Sequence, residues 1–363
     1  MSDSDRTGVR RALRLEPGPG NTRNSEGAFV ELRDGRIMLI YSRFSAGRGG
    51  DHDPAELAAR FSADGGLTWS ERDEIVLGND AGLNVMSVSL LRLDDGDLLL
   101  FYLLKNALSD CKPVVRRSSD DGATWGDPVD MVTDDDGYLI LIADRVVVSA
   151  SGRLIAPIAD HGPAWKNDPV ATGEAVCYLS DDRGRSWRRG RGEAAVADDP
   201  TGTGLQEPGV VQLGDGRLLM FSRTVLGSQY LCHSHDDGET WTQPVPSDIR
   251  SPRSPASIKR IPSTGDLLLV WNDSFDPGHR GHGARTPLTT AVSADDGRTW
   301  RHRRVLEDDP NGHYCYTAMH FVAGDPERVL LAYCAGDSRR NGLATLQVTS
   351  VEVPWLYGTG GAR

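Results

Sequence analysis

No apolar run in this chain approaches the roughly 20 residues that a helix needs to cross a bilayer, so a membrane-spanning helix is not expected. The stretch from Met1 to Gly20 is polar and Arg-bearing, and it lacks the apolar segment of a secretory signal. The expectation is a cytoplasmic protein, with secretion from a processed precursor as the alternative. Positive charge is also short. The formal net charge of -12 argues against nucleic acid as the main partner, while leaving room for a small anion met by a local Arg cluster. Cysteine is scarce: Cys111, Cys177, Cys232, Cys315 and Cys334 are odd in number and show no CxxC spacing. Reduced thiols suit that pattern better than a disulfide framework or a zinc ribbon. No stretch has the length and period of a useful helix, and only Asp53–Ala59 reads as a single helical turn. No linker is visible, so residues 1–363 are read as one domain. Its 38% hydrophobic residues are enough for a folded core.

What the chain has is a repeat. The octet Ser-x-Asp-x-Gly-x-Thr-Trp begins at Ser62 and recurs at Ser118, Ser180, Ser234 and Ser293, with Ser186 for Thr as the one departure. Its Trp residues (Trp69, Trp125, Trp187, Trp241, Trp300) are spaced by 56, 62, 54 and 59 residues, a period that means a repeat architecture. Ser and Asp side chains can bond nearby backbone N–H groups, and Gly accepts a positive φ, so the octet closes a tight turn. Thr and Trp then suit the restart of a strand. The octet reads as a clip within each repeat rather than as five binding sites.

Between the octets runs a second repeat, apolar strand, turn, apolar strand. Its turns are Asp34-Gly35, Asp95-Gly96, Ser151-Gly152, Asp215-Gly216, Thr264-Gly265 and Asp325-Pro326. Six hairpins, five of them followed by an octet hairpin, predict an all-β fold: a six-bladed β-propeller with four-stranded antiparallel blades. Ala344–Val353 is the expected last strand, and Val9–Leu15 the strand that closes the ring and covers a sheet edge.

In such a ring, residues just before the first strand and just after the second of each hairpin converge on the axis. By offset from the turns these are Glu26, Ser87 and Glu207, then Arg43, Lys105, Asn106, Asp160, His161, Arg223, Asn272 and Asp273. The following loops add Asp51, His52, Asp53, Asp110, Trp165, His279, His282 and Arg285, and the sixth blade opens with Tyr314 and Tyr316. A polar cluster on an apolar scaffold is where a site is expected. His279 and His282 have HxxH spacing, but with no third ligand they read as a solvated loop. No metal or cofactor is expected.

With these residues in view, the chain resembles the sialidase superfamily of Asp-box propellers over nearly its whole length. Glu207 in Gln206-Glu207-Pro208-Gly209-Val210-Val211, with Arg223 closing the next strand, is similar to the family's stretch holding a catalytic Glu and one substrate Arg. Arg285 in Arg285-Thr286-Pro287 resembles the family's third Arg, and Tyr316-Thr317-Ala318-Met319 the run that carries the nucleophile. The Arg43–Asp53 loop resembles the one with the acid/base Asp, and Asp51 and Asp53 both qualify. The family's first Arg has no counterpart: Ser25-Glu26-Gly27 stands there, with Arg23, Arg43 and Arg145 as spatial substitutes.

The resemblance implies a retaining exo-glycosidase that removes a terminal acidic sugar from a small glycoside or oligosaccharide. Tyr316 would be the nucleophile, Glu207 its base, and Asp51 or Asp53 the acid/base group. Arg223, Arg285, Arg43, Glu26 and His161 would contact substrate. A neutral phenol suits an anomeric centre that bears a carboxylate, which would repel an anionic nucleophile. Two alternatives stand beside it. One is a hydrolase or lyase on a different sugar, motivated by Glu26. The other is a non-catalytic glycan-binding propeller.

Overall fold

Short apolar strands joined by Gly-bearing turns pair with their sequence neighbours, and six such meanders make up the molecule. The computed structural model describes residues 7–79, 82–133, 137–162, 172–197, 199–278 and 283–358. The N-terminal strand β1 (Val9–Leu15) belongs to the last blade. Blade one is β2 (Arg23–Glu31), β3 (Ile37–Phe44), β4 (Ala55–Ser62) and β5 (Glu74–Leu77). Blade two is β6 (Asn84–Arg92), β7 (Leu98–Ala107), β8 (Asp110–Ser118) and β9 (Val129–Asp130). In blade three the inner strand is split into β10 (Leu139–Ile140) and β11 (Val147–Val148), both paired with β12 (Leu154–Asp160), which is followed by β13 (Glu174–Ser180) and β14 (Arg188–Arg189). Blade four is β15 (Gln206–Gln212), β16 (Leu218–Arg223), β17 (Ser228–Ser234) and β18 (Val245–Arg250). Blade five is β19 (Ser257–Arg260), β20 (Leu267–Asn272), β21 (Leu288–Ser293) and β22 (Arg301–Glu307). Blade six is β23 (Gly312–Val322), β24 (Arg328–Asp337) and β25 (Leu346–Glu352), completed by β1.

All pairings within the blades are antiparallel, as the six-bladed reading requires. The ring closes where β1 pairs with β25, from Val9 opposite Val351 to Leu15 opposite Leu346. This is the expected closing strand. Two expectations are corrected. Asp53–Ala59 is not a helical turn, because Ala55 onward pairs with β3 and buries Ala55, Leu57, Ala58 and Ala59; the ladder overrides the helix propensity of alanine. The octet Trp does not start the fourth strand, which begins one to five residues later in each of the five octet-bearing blades. It packs instead beside the blade interface, as where Trp69 and Phe29 lie 6.0 Å apart between ring centres.

Each octet is one hydrogen-bonded unit. Ser62 Oγ donates to Asp64 Oδ1 at 2.9 Å and accepts from the Gly66 N–H at 2.8 Å, while the Thr68 hydroxyl donates to Asp64 Oδ2 at 2.7 Å. The five octet glycines have φ between 82° and 88°. Each also abuts the preceding blade. A Cβ on Gly66 would lie 2.3 Å from Leu330 of blade six, on Gly122 3.1 Å from Met38 of blade one, and on Gly184 3.0 Å from Leu99 of blade two. The octets therefore join blade to blade, and glycine is needed there for both its φ and its missing side chain.

Gly66→Ala combines positive-φ strain with overpacking and is expected to cost about 2–4 kcal/mol, whereas Gly216→Ala costs only the backbone strain of about 1 kcal/mol. Gly216 has φ 89° and nothing within 4 Å of an added Cβ. Urea midpoints of the two variants beside wild type check the order, and equal midpoints would show that the blade contact is energetically idle.

Candidate active site

The inner strands bend at one common level. In β2, β6, β15 and β23 the ladder register shifts between Ser25 and Ala28, Met86 and Ser89, Gln206 and Gly209, and Cys315 and Ala318. Two residues of each inner strand are thus left unpaired in a bulge. The first of each pair adopts positive φ: Glu26 (54°), Ser87 (59°), Glu207 (50°) and Tyr316 (55°). Asp144, in the gap between β10 and β11, has φ 59°. A side chain-bearing residue held at positive φ costs of order 1–3 kcal/mol, and such residues gather at functional sites. Here the bulges aim four side chains at one cavity.

That cavity, of about 350 Å³, takes its lining from all six blades, with Glu26, Asp51, Ser87, Lys105, Glu207 and Tyr316 among its polar residues. On its floor the Tyr316 hydroxyl donates to Glu207 Oε1 at 2.8 Å. Arg223 Nη1 donates to Glu207 Oε2 at 2.5 Å, and its Nε to Gln206 Oε1 at 3.1 Å. The register explains the grouping, since Arg223 at the end of β16 lies opposite Gln206. Arg285 comes from the loop before β21. Its carbonyl accepts from the Tyr314 N–H at 2.9 Å, and its guanidinium lies 5.4 Å from the Tyr316 ring centre. Arg285 Nη1 is buried and meets no acceptor from the protein, and Arg285 lines the cavity, so this N–H is free to bond an anion there.

A third cation completes the group, and sequence reasoning missed it. Arg253 lines the cavity and donates from Nε to Gln206 Oε1 at 3.2 Å. It stands in Arg250-Ser251-Pro252-Arg253-Ser254-Pro255, three residues ahead of the Ala256 that the fixed offset from the turn selects, and β19 starts only at Ser257. The short inner strand of blade five was the available signal. Burial and the neighbouring Arg223 cation press the Arg253 pKa down, Arg285 adds to this, and Glu207 opposes it. Three guanidiniums thus share one carboxylate and leave a local positive excess in a chain of net charge -12.

Burial, then the Glu207 carboxylate, raise the Tyr316 pKa well above the ordinary phenol value, against the opposing pull of Arg285 and Arg223. The phenol is therefore neutral at rest, with its proton already on the hydrogen bond to Glu207. Beneath the site Arg145 donates from Nη2 to the Ala256 carbonyl at 2.6 Å, and burial lowers its pKa to about 10 despite Asp144 and Glu207.

Opposite the arginines, Arg23 joins two acids. Its Nη2 donates to Glu26 Oε1 at 3.2 Å and its Nη1 to Asp51 Oδ1 at 2.5 Å. The Asp51 loop is held from blade two, where Asn84 Nδ2 and Lys105 Nζ donate to the Asp51 carbonyl at 2.9 and 2.8 Å. The Asp51 carboxylate remains 56% exposed at the mouth. Burial raises its pKa, but the Arg23 charge and hydrogen bond outweigh that and lower it overall.

The expected site residues separate cleanly. Tyr316, Glu207, Arg223, Arg285, Glu26, Asp51 and His161 line the cavity, as do His52, Ser87 and Lys105. Asp53 does not. Its Oδ2 accepts the Arg48 and Gly50 N–H groups, both at 2.8 Å, so it shapes its own loop. Arg43 does not either, because it pairs with Glu56 at 2.5 Å and Asp73 at 3.3 Å on the flank of blade one. Of the proposed substitutes for the missing Arg, Arg23 and Arg145 sit behind the wall, and Arg253 reaches the cavity instead. Asp160 pairs with Arg189 at 3.0 Å, and Asp273 with Arg250 and Arg303 at 3.2 Å each. Tyr314 packs against Tyr333 in the blade core. Trp165, His279 and His282 lie outside the described residues. Among the described residues no group of three or more His, Cys, Asp or Glu is arranged to hold a metal ion.

The chain matches the model of the BNR repeat-like domain over residues 35–326. It is 26% identical to a sialidase of Micromonospora viridifaciens over 325 residues, covering 80% of this chain and 47% of that protein. It is also 26% identical to an anhydrosialidase of Macrobdella decora over 258 residues, 64% of this chain and 32% of the relative. The chain thus spans about a third to a half of the length of these two relatives. Among solved structures, the leech intramolecular trans-sialidase in complex with 2,7-anhydro-Neu5Ac superposes with a TM-score of 0.74 at 15% identity, over 96% of this chain and 71% of that one. With 292 of its 363 residues inside the family match (326 − 35 + 1), and with six blades clipped by the repeated octet, this chain belongs to the BNR repeat-like family of the sialidase superfamily.

Proposed function

We propose that this protein is a sialidase-like glycoside hydrolase that removes a terminal acidic sugar with retention of configuration. The observation that carries the reading is the 2.8 Å hydrogen bond from Tyr316 to Glu207, set beside three arginines in one cavity. Arg223, Arg253 and Arg285 hold the sugar carboxylate with charge-assisted, fork-shaped hydrogen bonds. The Tyr316 oxygen attacks the anomeric carbon while its proton passes to Glu207 Oε1, which turns a poor nucleophile into a competent one without placing a full anion against the carboxylate. Asp51 serves as the acid/base group at the mouth. It gives a proton to the leaving glycosidic oxygen, and in the second half it takes one from the water that attacks the glycosyl–tyrosine bond. Glu207 then returns its proton to the phenolic oxygen. The Arg23 ion pair favours the ionised form of Asp51, which suits the second half and makes the first half depend on acid. A second reading, the same machinery acting on a different sugar acid, is supported by Glu26 on the cavity wall.

Fluorescence release from 4-methylumbelliferyl N-acetylneuraminate tests the assignment. Glu207→Gln and Asp51→Asn are expected to lower turnover by about 10²- to 10⁴-fold, the range for a lost proton-transfer group, and Tyr316→Phe at least as much. Asp53→Asn is expected to leave turnover near wild type while loosening the loop, so the two loop aspartates give opposite results. Full turnover by Tyr316→Phe would refute the mechanism. No release by folded wild type would shift the substrate to another sugar acid.

Arg253→Lys keeps the charge and removes the fork. It is expected to raise KM roughly tenfold to a hundredfold, in line with a lost charge-assisted hydrogen bond, with a smaller change in kcat. An unchanged KM would remove Arg253 from the carboxylate site.

A further inference from the structure

Gln206 carries no charge, yet two cations meet at it. It is the residue before Glu207, it is 4% exposed, and it lines the cavity. Its Oε1 accepts from Arg223 Nε at 3.1 Å, from Arg223 Nη2 at 2.5 Å and from Arg253 Nε at 3.2 Å. A guanidinium has only N–H donors, so the amide oxygen is the atom that must face both. The amide nitrogen donates to none of the described residues. Ladder pairing sets Arg223 opposite Gln206, whereas Arg253 arrives on the loop ahead of β19 with no ladder to place it. The bond to Gln206 is the one hydrogen bond that the Arg253 side chain makes among the described residues. It takes Nε and leaves Nη1 and Nη2 unclaimed.

We propose that Gln206 is a positioning residue: it fixes Arg253 beside Arg223 without neutralising either, and so keeps this side of the cavity selective for a ligand that brings its own negative charge. This rests on the reading that an acidic sugar occupies the cavity. A carboxylate would be the ordinary partner for two guanidiniums, since it accepts charge-assisted bonds from both. It would also cancel one of their charges. Arg223 already bonds the Glu207 carboxylate through Nη1. With glutamine at this position Arg223, Arg253 and Arg285 face Glu207 alone, and most of their charge is left to act on the ligand. The two cations repel each other, and Arg223 helps to press the Arg253 pKa down. The neutral oxygen between them offsets that repulsion in part and leaves the positive field in place.

The test is titration calorimetry of the full chain with 2,3-didehydro-2-deoxy-N-acetylneuraminic acid and with its uncharged methyl ester, at neutral pH. Wild type is expected to bind the acid more tightly than the ester. Gln206→Glu keeps the shape and the acceptor and breaks no bond, because the amide nitrogen makes none. It is expected to raise the Kd of the acid by about 10- to 100-fold, the effect of one added charge in a partly screened site, with a much smaller change for the ester. Gln206→Met removes the acceptor and adds no charge. It is expected to raise the Kd of the acid roughly tenfold, because Arg253 loses its bond. An unchanged Kd for the acid in either variant would overturn the inference and leave the acidic-sugar reading intact. So would an equal loss for acid and ester in Gln206→Glu, which is what a packing role alone predicts. If Gln206→Glu fails to fold, Gln206→Met decides. Wild type that binds neither ligand, or binds the ester as tightly as the acid, would instead overturn the acidic-sugar reading, and the inference with it.

Discussion

A cavity lined from six blades exists only if the ring is closed, and closure is the pairing of β1 with β25. Blade six has three strands of its own, and its β25 edge would otherwise be open to water or to another chain. By supplying the fourth strand from the N-terminus, the chain converts a row of blades into a ring of fixed circumference. Residues 109 apart in sequence, Tyr316 and Glu207, can then hold a 2.8 Å hydrogen bond across it. The octets repeat the same logic at each joint. A short polar clip lets a glycine backbone rest on a side chain of the preceding blade, so that neighbouring blades are locked in rotation as well as in distance.

A rigid ring can carry local strain. Four inner strands put a residue with a side chain into positive φ at the same level, and an intact ladder above and below each bulge holds it there. The bends turn side chains from the sheet toward the axis. In two blades the resulting groups are Glu207 and Tyr316; in the other two they are Glu26 and Ser87, which hydrogen-bond to each other. The same backbone device therefore builds both sides of the cavity, and the chemistry of each side depends only on which residue occupies the bulge.

Charge is distributed against the protein's overall sign. The chain carries a net charge of -12, while Arg223, Arg253 and Arg285 crowd around one carboxylate on the floor. Like charges at close range are costly, and here one ladder position, Arg223, and two loop positions, Arg253 and Arg285, hold them together. On the far wall Arg23 is shared by Glu26 and Asp51, and those two acids take opposite shifts. Buried Glu26 is raised, while Asp51 at the mouth, with the shorter bond to the guanidinium, is lowered. One arginine thus separates the behaviour of two carboxylates in a single cavity.

The repeat itself determined the fold. Five octets and six apolar hairpins are local signals, each set by turn chemistry and strand period, and they predicted six blades, their order and the closing strand without any long-range information. The offset from each turn found Glu26, Ser87 and Glu207 for the same reason, since a hairpin ladder carries register outward from its turn. Tyr316 and Arg285 were legible by resemblance. Tertiary structure decided what local rules cannot carry. Asp51 was separated from Asp53 by two residues of loop path, which depend on Asn84 and Lys105 of the next blade. Arg43 went to Glu56 and Asp73 because β3 pairs there with β4. Arg253 reached the cavity from an irregular Pro-bounded loop with no register to read. The raised pKa of Glu26 belongs to no segment at all. It arises from burial, from Asp51 in the loop of its own blade and from Glu207 across the ring, and the last of these distances exists only after the ring has closed.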